Sequence, residues 1–166
     1  MAATGKWWLG TKSLIVMHYK HPKLPYYIST DYSEFDTSKM IKWLSEDAYW
    51  STGVPFEVMH RGFSNSLAFG VFQASGNLVG IARMITDRAT FAYLADVYMD
   101  PDHRGKGLGE WLMEIIMAHP DLQGLRRMML ATSDAHGLYE KLGFGKVSKT
   151  DERLMEIVRP DIYKND

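Results

Sequence analysis

The chain has 166 residues, 46% of them hydrophobic and 13% aromatic, enough to bury one sizeable core, so a single domain spanning residues 1–166 is expected. A net charge of −1 provides no broad basic field, which argues against a nucleic-acid or membrane-surface partner and makes any anion site local. Without cysteine there is no disulfide framework, cysteine nucleophile or thiolate metal site, and six histidines without ligand spacing predict no metal.

The apolar run Leu14-Ile15-Val16-Met17 is too short for a membrane span or the core of a secretion signal, and no small-residue cleavage site follows it. A soluble, cytoplasmic protein is the expectation. Residues 1–20 read either as an edge strand over 12–19 or as an N-terminal arm packed on a neighbour, which leaves a homodimer open. Trp7 and Trp8 fit aromatic anchors that cover apolar surface.

After Pro22 and Pro25, the aromatic and β-branched run 26–30 reads as a first strand. Asp36 or Thr37 can cap a helix whose Met40, Ile41, Trp43, Leu44 and Ala48 recur at three- and four-residue spacing, ended by Gly53 and Pro55. Phe56, Met59 and Phe63 mark a second, shorter helix with Pro55 near its first turn. Runs 67–73 and 78–85 flank a hairpin turn at Ala74-Ser75-Gly76-Asn77, and a polar stretch then leads into a third run, 91–99. Three successive antiparallel strands follow from that pattern.

From Gly107 onward, Leu108, Trp111, Leu112, Ile115 and Ile116 share one helical face, and Pro120 closes the segment. Residues 127–131 form a short buried strand, which a right-handed crossover would lay parallel to 91–99; ligands bind at the carboxyl ends of such strands. Ser133 or Asp134 can cap a short helix through Leu142, with Gly143 as its left-handed terminator. Residues 144–149 and 153–158 would close the sheet as a final hairpin.

The stretch Tyr98-Met99-Asp100-Pro101-Asp102-His103-Arg104-Gly105-Lys106-Gly107-Leu108-Gly109 joins the third run to the long helix. Three glycines let the backbone approach a ligand and take positive φ, and the first N–H groups of a helix have no intrahelical partner. A polyphosphate is the occupant this geometry suits. The spacing Gly-x-Gly-x-Gly is not the dinucleotide fingerprint, and no Gly-x-x-x-x-Gly-Lys-Ser/Thr loop occurs.

Arg104, Gly107 and Gly109 match Arg/Gln-x-x-Gly-x-Gly/Ala, and Leu138-Tyr139-Glu140-Lys141-Leu142-Gly143-Phe144 follows downstream. Together these blocks resemble the acyl-CoA signature and the second recurring segment of the GNAT superfamily of N-acetyltransferases; the likeness is good over residues 67–144 and poor over the first sixty. The resemblance implies a mixed α/β fold: a mostly antiparallel central sheet of six to seven strands, about four flanking helices, and a parallel pair at the coenzyme site. It also implies transfer of the acetyl group of acetyl-CoA to an amine by direct attack in a ternary complex. A small molecule is the expected acceptor, since no acidic run is present to attract basic protein tails. The rival is a non-catalytic acyl-CoA-binding sensor on the same fold, or transfer to a hydroxyl or of a longer acyl group.

On that resemblance the N–H groups of Arg104, Gly105, Lys106, Gly107, Leu108 and Gly109 would take the coenzyme's diphosphate, with the Arg104 and Lys106 side chains either adding charge or staying solvated. Val97, Tyr98 and Met99 would run beside the pantetheine arm. Tyr139 would be the general acid for the departing thiolate, against the alternative of a core tyrosine donating to a carbonyl. Asp96, alternating with Leu94 and Tyr98, would take the amine's proton or hold the amine, or else be a structural carboxylate. Thr132, Asp134 and His136 would lie at the mouth shared by coenzyme and acceptor. Tyr32, Trp43, Tyr49, Trp50, Phe69 and Tyr93 could line an aromatic acceptor cleft, and Arg83, with Val79, Ile81 and Ile85 on its strand face, could hold a carboxylate.

Overall fold

The computed structural model describes residues 16–147 together with Met155, Ile157, Arg159 and Tyr163. Among them the apolar runs build six strands: β1 (His18–Lys20), β2 (Tyr26–Ser29), β3 (Leu67–Gln73), β4 (Leu78–Thr86), β5 (Phe91–Met99) and β6 (Arg127–Met129). They lie in that order in one sheet, antiparallel except for the parallel β5–β6 pair. Four helices flank it: α1 (Thr37–Lys42), α2 (Phe56–Ser64), α3 (Leu108–Ala118) and α4 (His136–Glu140). The expected mixed sheet with its parallel pair is therefore present.

The sheet has a core on each face, because alternate residues of each strand point to opposite sides. On one face Ile28, Phe69, Val71, Met84 and Leu94 pack under Leu108, Leu112, Met113 and Ile116 of α3 and Tyr139 of α4. On the other, Ala68, Phe72, Ile81 and Tyr98 pack under Met40, Trp43 and Leu44 and under Met59 and Phe63 of α2. Burying each large side chain stabilises by about 1.5–3 kcal/mol relative to exposure.

The first helix differs from the periodic reading. Asp36 caps α1 by accepting from the Lys39 N–H, as expected, but the helix does not run on to Gly53. At Trp43 it widens into a π-helical turn, Trp43–Asp47, which closes when the Ala48 N–H donates to the Trp43 carbonyl. Widening the turn lets adjacent Trp43 and Leu44 both enter the core and releases the chain early.

The C-terminal region departs further. Neither Ser133 nor Asp134 caps α4: its N-cap is Ala135, with no side-chain bond, and the Thr132 hydroxyl accepts from the Ala135 N–H at 3.0 Å instead. Gly143 does end the helix in the left-handed region at φ 90°, with the Phe144 N–H reaching back to the Tyr139 carbonyl. Phe144 to Val147 carry no strand, and the rest of the expected closing hairpin lies outside the described residues, as do Trp7 and Trp8 and most of the N-terminal arm.

One irregularity positions the site. Between Ile81 and Arg83, two steps of β4 face three steps of β5, from Ala95 to Tyr98. The extra residue falls near Asp96, whose φ of 53° is uncommon for a residue other than glycine. This bulge reverses the side-chain phase of β5: Leu94 lies in the α3 core and Tyr98 in the α1–α2 core. The expectation that Leu94, Asp96 and Tyr98 share a face is thereby corrected. A second register shift near the start of β4 likewise puts Val79 on the face opposite Ile81, so Val79 does not flank Arg83.

Candidate active site

Strand β6 pairs with β5 only from Phe91 to Tyr93, and beyond the Tyr93–Met129 partners the two strands part. The gap is a cleft of about 310 Å3, walled by Tyr93 to Val97 of β5 on one side and by Ala131, Thr132 and Asp134 on the other. Tyr139 closes its floor, and Tyr49 and Trp50 form its rim. Past Tyr93, the β6-facing main-chain groups of β5 have no strand opposite them among the described residues. Such a row of free groups suits an extended ligand with amides of its own.

The glycine loop lies at the carboxyl end of β5, and side chains hold it from behind. Lys39 of α1 pairs with Asp100 at 3.2 Å, and the Tyr26 hydroxyl meets His103 Nδ1 at 2.8 Å. Arg104 Nε donates to the Met99 carbonyl at 2.9 Å with its guanidinium over the Tyr98 ring, and Lys106 Nζ donates to the Asp102 carbonyl at 3.0 Å. Both cationic side chains thus brace the loop's own backbone. Gly105 and Gly107 occupy the left-handed region, at φ 72° and 75°.

No side chain caps α3, and the N–H groups of Gly107, Leu108, Gly109 and Glu110 have no acceptor among the described residues; the first intrahelical bond is from Trp111 to the Gly107 carbonyl. The Arg104 N–H, by contrast, is taken by the Pro101 carbonyl at 3.3 Å, so the expected row of donors loses its first member. Gly109 is informative because its φ is not positive, yet a Cβ there would meet nothing within 4 Å. Nothing inside the protein requires glycine at that helical position, where it weakens the helix by about 0.5–1 kcal/mol relative to alanine. Space kept open above free amides fits a phosphate-bearing ligand.

Asp96 and Arg83 find one another rather than a substrate. Arg83 Nε donates to Asp96 Oδ2 at 2.5 Å, Nη1 donates to Ser66 Oγ at 3.2 Å, and the guanidinium lies over the Phe63 ring. The other carboxylate oxygen, Oδ1, accepts from Trp50 Nε1 at 3.2 Å. The carboxylate that Arg83 was expected to hold is therefore the protein's own. Ser66 and Phe63 complete this support by holding the Arg83 guanidinium; Phe63 read in the sequence only as a helix marker and Ser66 not at all, because their meeting with Arg83 depends on tertiary packing.

Tyr139 is 8% exposed, and its hydroxyl makes no hydrogen bond among the described residues. Among the described residues it donates to no backbone carbonyl. Burial pushes the phenol above its ordinary value near 10, and Asp134 and then Tyr49 push the same way, so it stays protonated at neutral pH.

Several expected cleft residues lie elsewhere. Phe69 is fully buried under α3, edge-on to His119, and has no surface on the cleft. Trp43 stacks on Tyr98 in the opposite core, and the Tyr98 hydroxyl donates to Asp47, so only the Tyr98 main chain borders the site. Tyr32 stacks on Phe63 and bonds His60, beyond the cleft wall. His136 lines an adjoining cavity that shares Ala131, Thr132 and Tyr139 with the cleft. Tyr49 earns a place: 60% exposed, it reaches across the gap to Ser133 Oγ at 2.5 Å and packs edge-on against Trp50. An adjacent aromatic pair exposed in a loop was the available signal for it. Among the described residues no cluster of His, Asp or Glu could hold a metal, and no helix is long and apolar enough to cross a membrane.

Comparison with known proteins agrees with this arrangement. The model of the acetyltransferase (GNAT) family matches residues 37–144. A Gibberella zeae protein classed as an acetyltransferase is 34% identical over 137 residues, 70% of this chain and 76% of its own length. The crystal structure of a GNAT-family acetyltransferase from Xanthomonas campestris pv. campestris superposes with a TM-score of 0.81 at 45% identity, covering 88% of this chain and 99% of that one. The Arabidopsis thaliana glucosamine-6-phosphate N-acetyltransferase shares the fold alone, at 20% identity and a TM-score of 0.53 over 81% of this chain and 97% of its own. The glycine loop, the parted parallel strands and these matches together place the chain in the GNAT family of acetyltransferases.

Proposed function

We propose that the protein is an acetyl-CoA-dependent N-acetyltransferase acting on a small-molecule amine by direct attack in a ternary complex. The observation that carries this reading is Tyr139, a largely buried ring whose hydroxyl has no hydrogen-bond partner among the described residues and lines a cleft that opens where β5 and β6 part. Acetyl-CoA supplies the activated acetyl group as a thioester. The free N–H groups of Gly107 to Glu110 hold its diphosphate, and the unpaired edge of β5 around Val97 hydrogen-bonds its pantetheine arm.

The chain's own groups then divide the work. Main-chain donors of β5 near the bulge stabilise the charge that develops on the acetyl oxygen; preorganised donors of this kind contribute about 3–4 kcal/mol each. Asp96 Oδ1 orients the amine and takes its proton directly or through water, while Arg83 holds the carboxylate in place. Tyr139 donates a proton to the departing thiolate, for which its raised pKa keeps the proton available. The N–C bond forms as the C–S bond breaks, and one proton leaves the amine while another reaches sulfur.

Thiol release from acetyl-CoA across a panel of amines tests the reading, with calorimetry of acetyl-CoA binding alongside. Amine-dependent release supports it. Tight binding without release under any amine would point instead to an acyl-CoA sensor, and no binding would remove the coenzyme assignment altogether.

A further inference from the structure

Resting on the reading of the chain as an amine acetyltransferase, we propose that its acceptor is a diamine or polyamine, a primary amine whose remainder is cationic and carries no carboxylate or phosphate. The cleft has two carboxylates on facing walls, Asp96 on β5 and Asp134 in the loop leading to α4, and no Lys, Arg or His among its described lining residues. An anionic substituent would face both carboxylates without a counter-ion, a like-charge arrangement that binding sites use to reject ligands.

The charge near Asp96 needs separate treatment, because Arg83 stands behind it. Arg83 binds Oδ2 and turns its remaining donors to Ser66 and the Phe63 ring, away from the cleft. Oδ1 is left on the cleft side with only the Trp50 indole N–H, at 3.2 Å. An ammonium that displaces this indole exchanges a neutral donor for a charge-assisted one and retains the ring as an apolar or cation–π wall. Among the described residues Asp134 has no cationic partner, and its side chain accepts only from the Thr132 hydroxyl, at 3.5 Å. A second ammonium on the same ligand would neutralise it.

The floor of the cleft is the Tyr139 ring, whose hydroxyl has no partner among the described residues and is free to meet a ligand. Tyr49, Trp50 and Tyr93 add aromatic surface suited to a methylene chain between two charged ends.

The test is steady-state thiol release with acetyl-CoA and four acceptors: 1,4-diaminobutane, n-butylamine, 4-aminobutanoate and glucosamine 6-phosphate. The diamine should exceed butylamine in kcat/KM by about tenfold, and both anionic amines by about a hundredfold. Asp134→Asn should cut the diamine-over-monoamine preference by about tenfold through KM, at unchanged thermal midpoint. Equal or faster turnover of either anionic amine, or an unaltered preference in Asp134→Asn, overturns the proposal while the acetyltransferase reading stands. If no amine is consumed, that reading fails instead, and calorimetric titration of the coenzyme-saturated protein with 1,4-diaminobutane and 4-aminobutanoate decides the cleft's charge preference alone. Preferential binding of the diamine supports it, and no preference overturns it.

Discussion

The glycine loop and the acceptor cleft lie at the same end of the sheet and are built in opposite ways. In the loop, side chains are spent on bracing the backbone and the ligand is offered bare N–H groups, so the site is open before anything binds. In the cleft, side chains face the ligand but are already bonded to each other: Trp50 to Asp96, Tyr49 to Ser133. A coenzyme docks on the first with nothing to displace, whereas an acceptor must exchange partners in the second. On the proposed function, selectivity resides in the cleft and affinity for the common coenzyme in the loop.

The sharpest way to break this division is at the floor. Tyr139→Phe should lower kcat by about a hundredfold or more, with acetyl-CoA affinity changed less than about twofold, as measured by thiol release and calorimetry. Wild-type turnover in that variant would remove the acid from the mechanism. Next in size, Arg83→Met leaves Asp96 without its partner at a backbone position already at positive φ, and should destabilise the fold by about 2 kcal/mol in denaturant titration. A change under about 0.5 kcal/mol would show that the pair does not hold the bulge.

For the loop, Gly109→Ala should separate stability from binding. The added methyl meets nothing in the protein, so the thermal midpoint should rise slightly, while acetyl-CoA affinity drops about tenfold because the methyl holds the phosphate off the free amides and weakens the equivalent of one strong contact. Lys106→Ala, which removes only a brace to Asp102, should change affinity by less than about threefold. Equal effects would place the diphosphate on side chains instead.

The smallest effect lies far from both regions. His119, at the end of α3, is buried: Nδ1 accepts from the Asp121 N–H and Nε2 has no partner among the described residues. Burial holds its pKa below the ordinary 6.5, more than the opposing pull of Asp121. The folded state thus prefers the neutral ring, so this contribution is complete above pH 6.5 and is lost as pH falls from there toward the lowered value. His119→Gln should flatten the acid side of a midpoint-versus-pH curve, and an unchanged slope would contradict the assignment.

Much of this was legible in the residues. Apolar runs bounded by turn residues and three- to four-residue spacing located β3 to β5, α2 and α3, because those patterns follow from local geometry. The glycine loop was legible for the same reason: its function uses backbone, and glycine advertises backbone. The cleft was less so. Whether Leu94 and Tyr98 share a face depends on a bulge set by pairing with β4, and Arg83 meets Asp96 only across that ladder. Phe69 carries the right chemistry but is packed in the core under α3, which composition cannot reveal. The cap of α4 passed from Ser133 or Asp134 to Thr132 through a hydroxyl bond that several nearby residues could equally have made.

The added residue near Asp96 carries a consequence of parity. An odd count in β5 against β4 is what allots the strand's two ends to different helical layers, so shortening the strand by one would send Tyr98 and Met99 through the sheet to exchange sides. Substitution at this point tunes chemistry, whereas deletion would invert the strand's inside and outside. Length here is therefore guarded more strictly than identity.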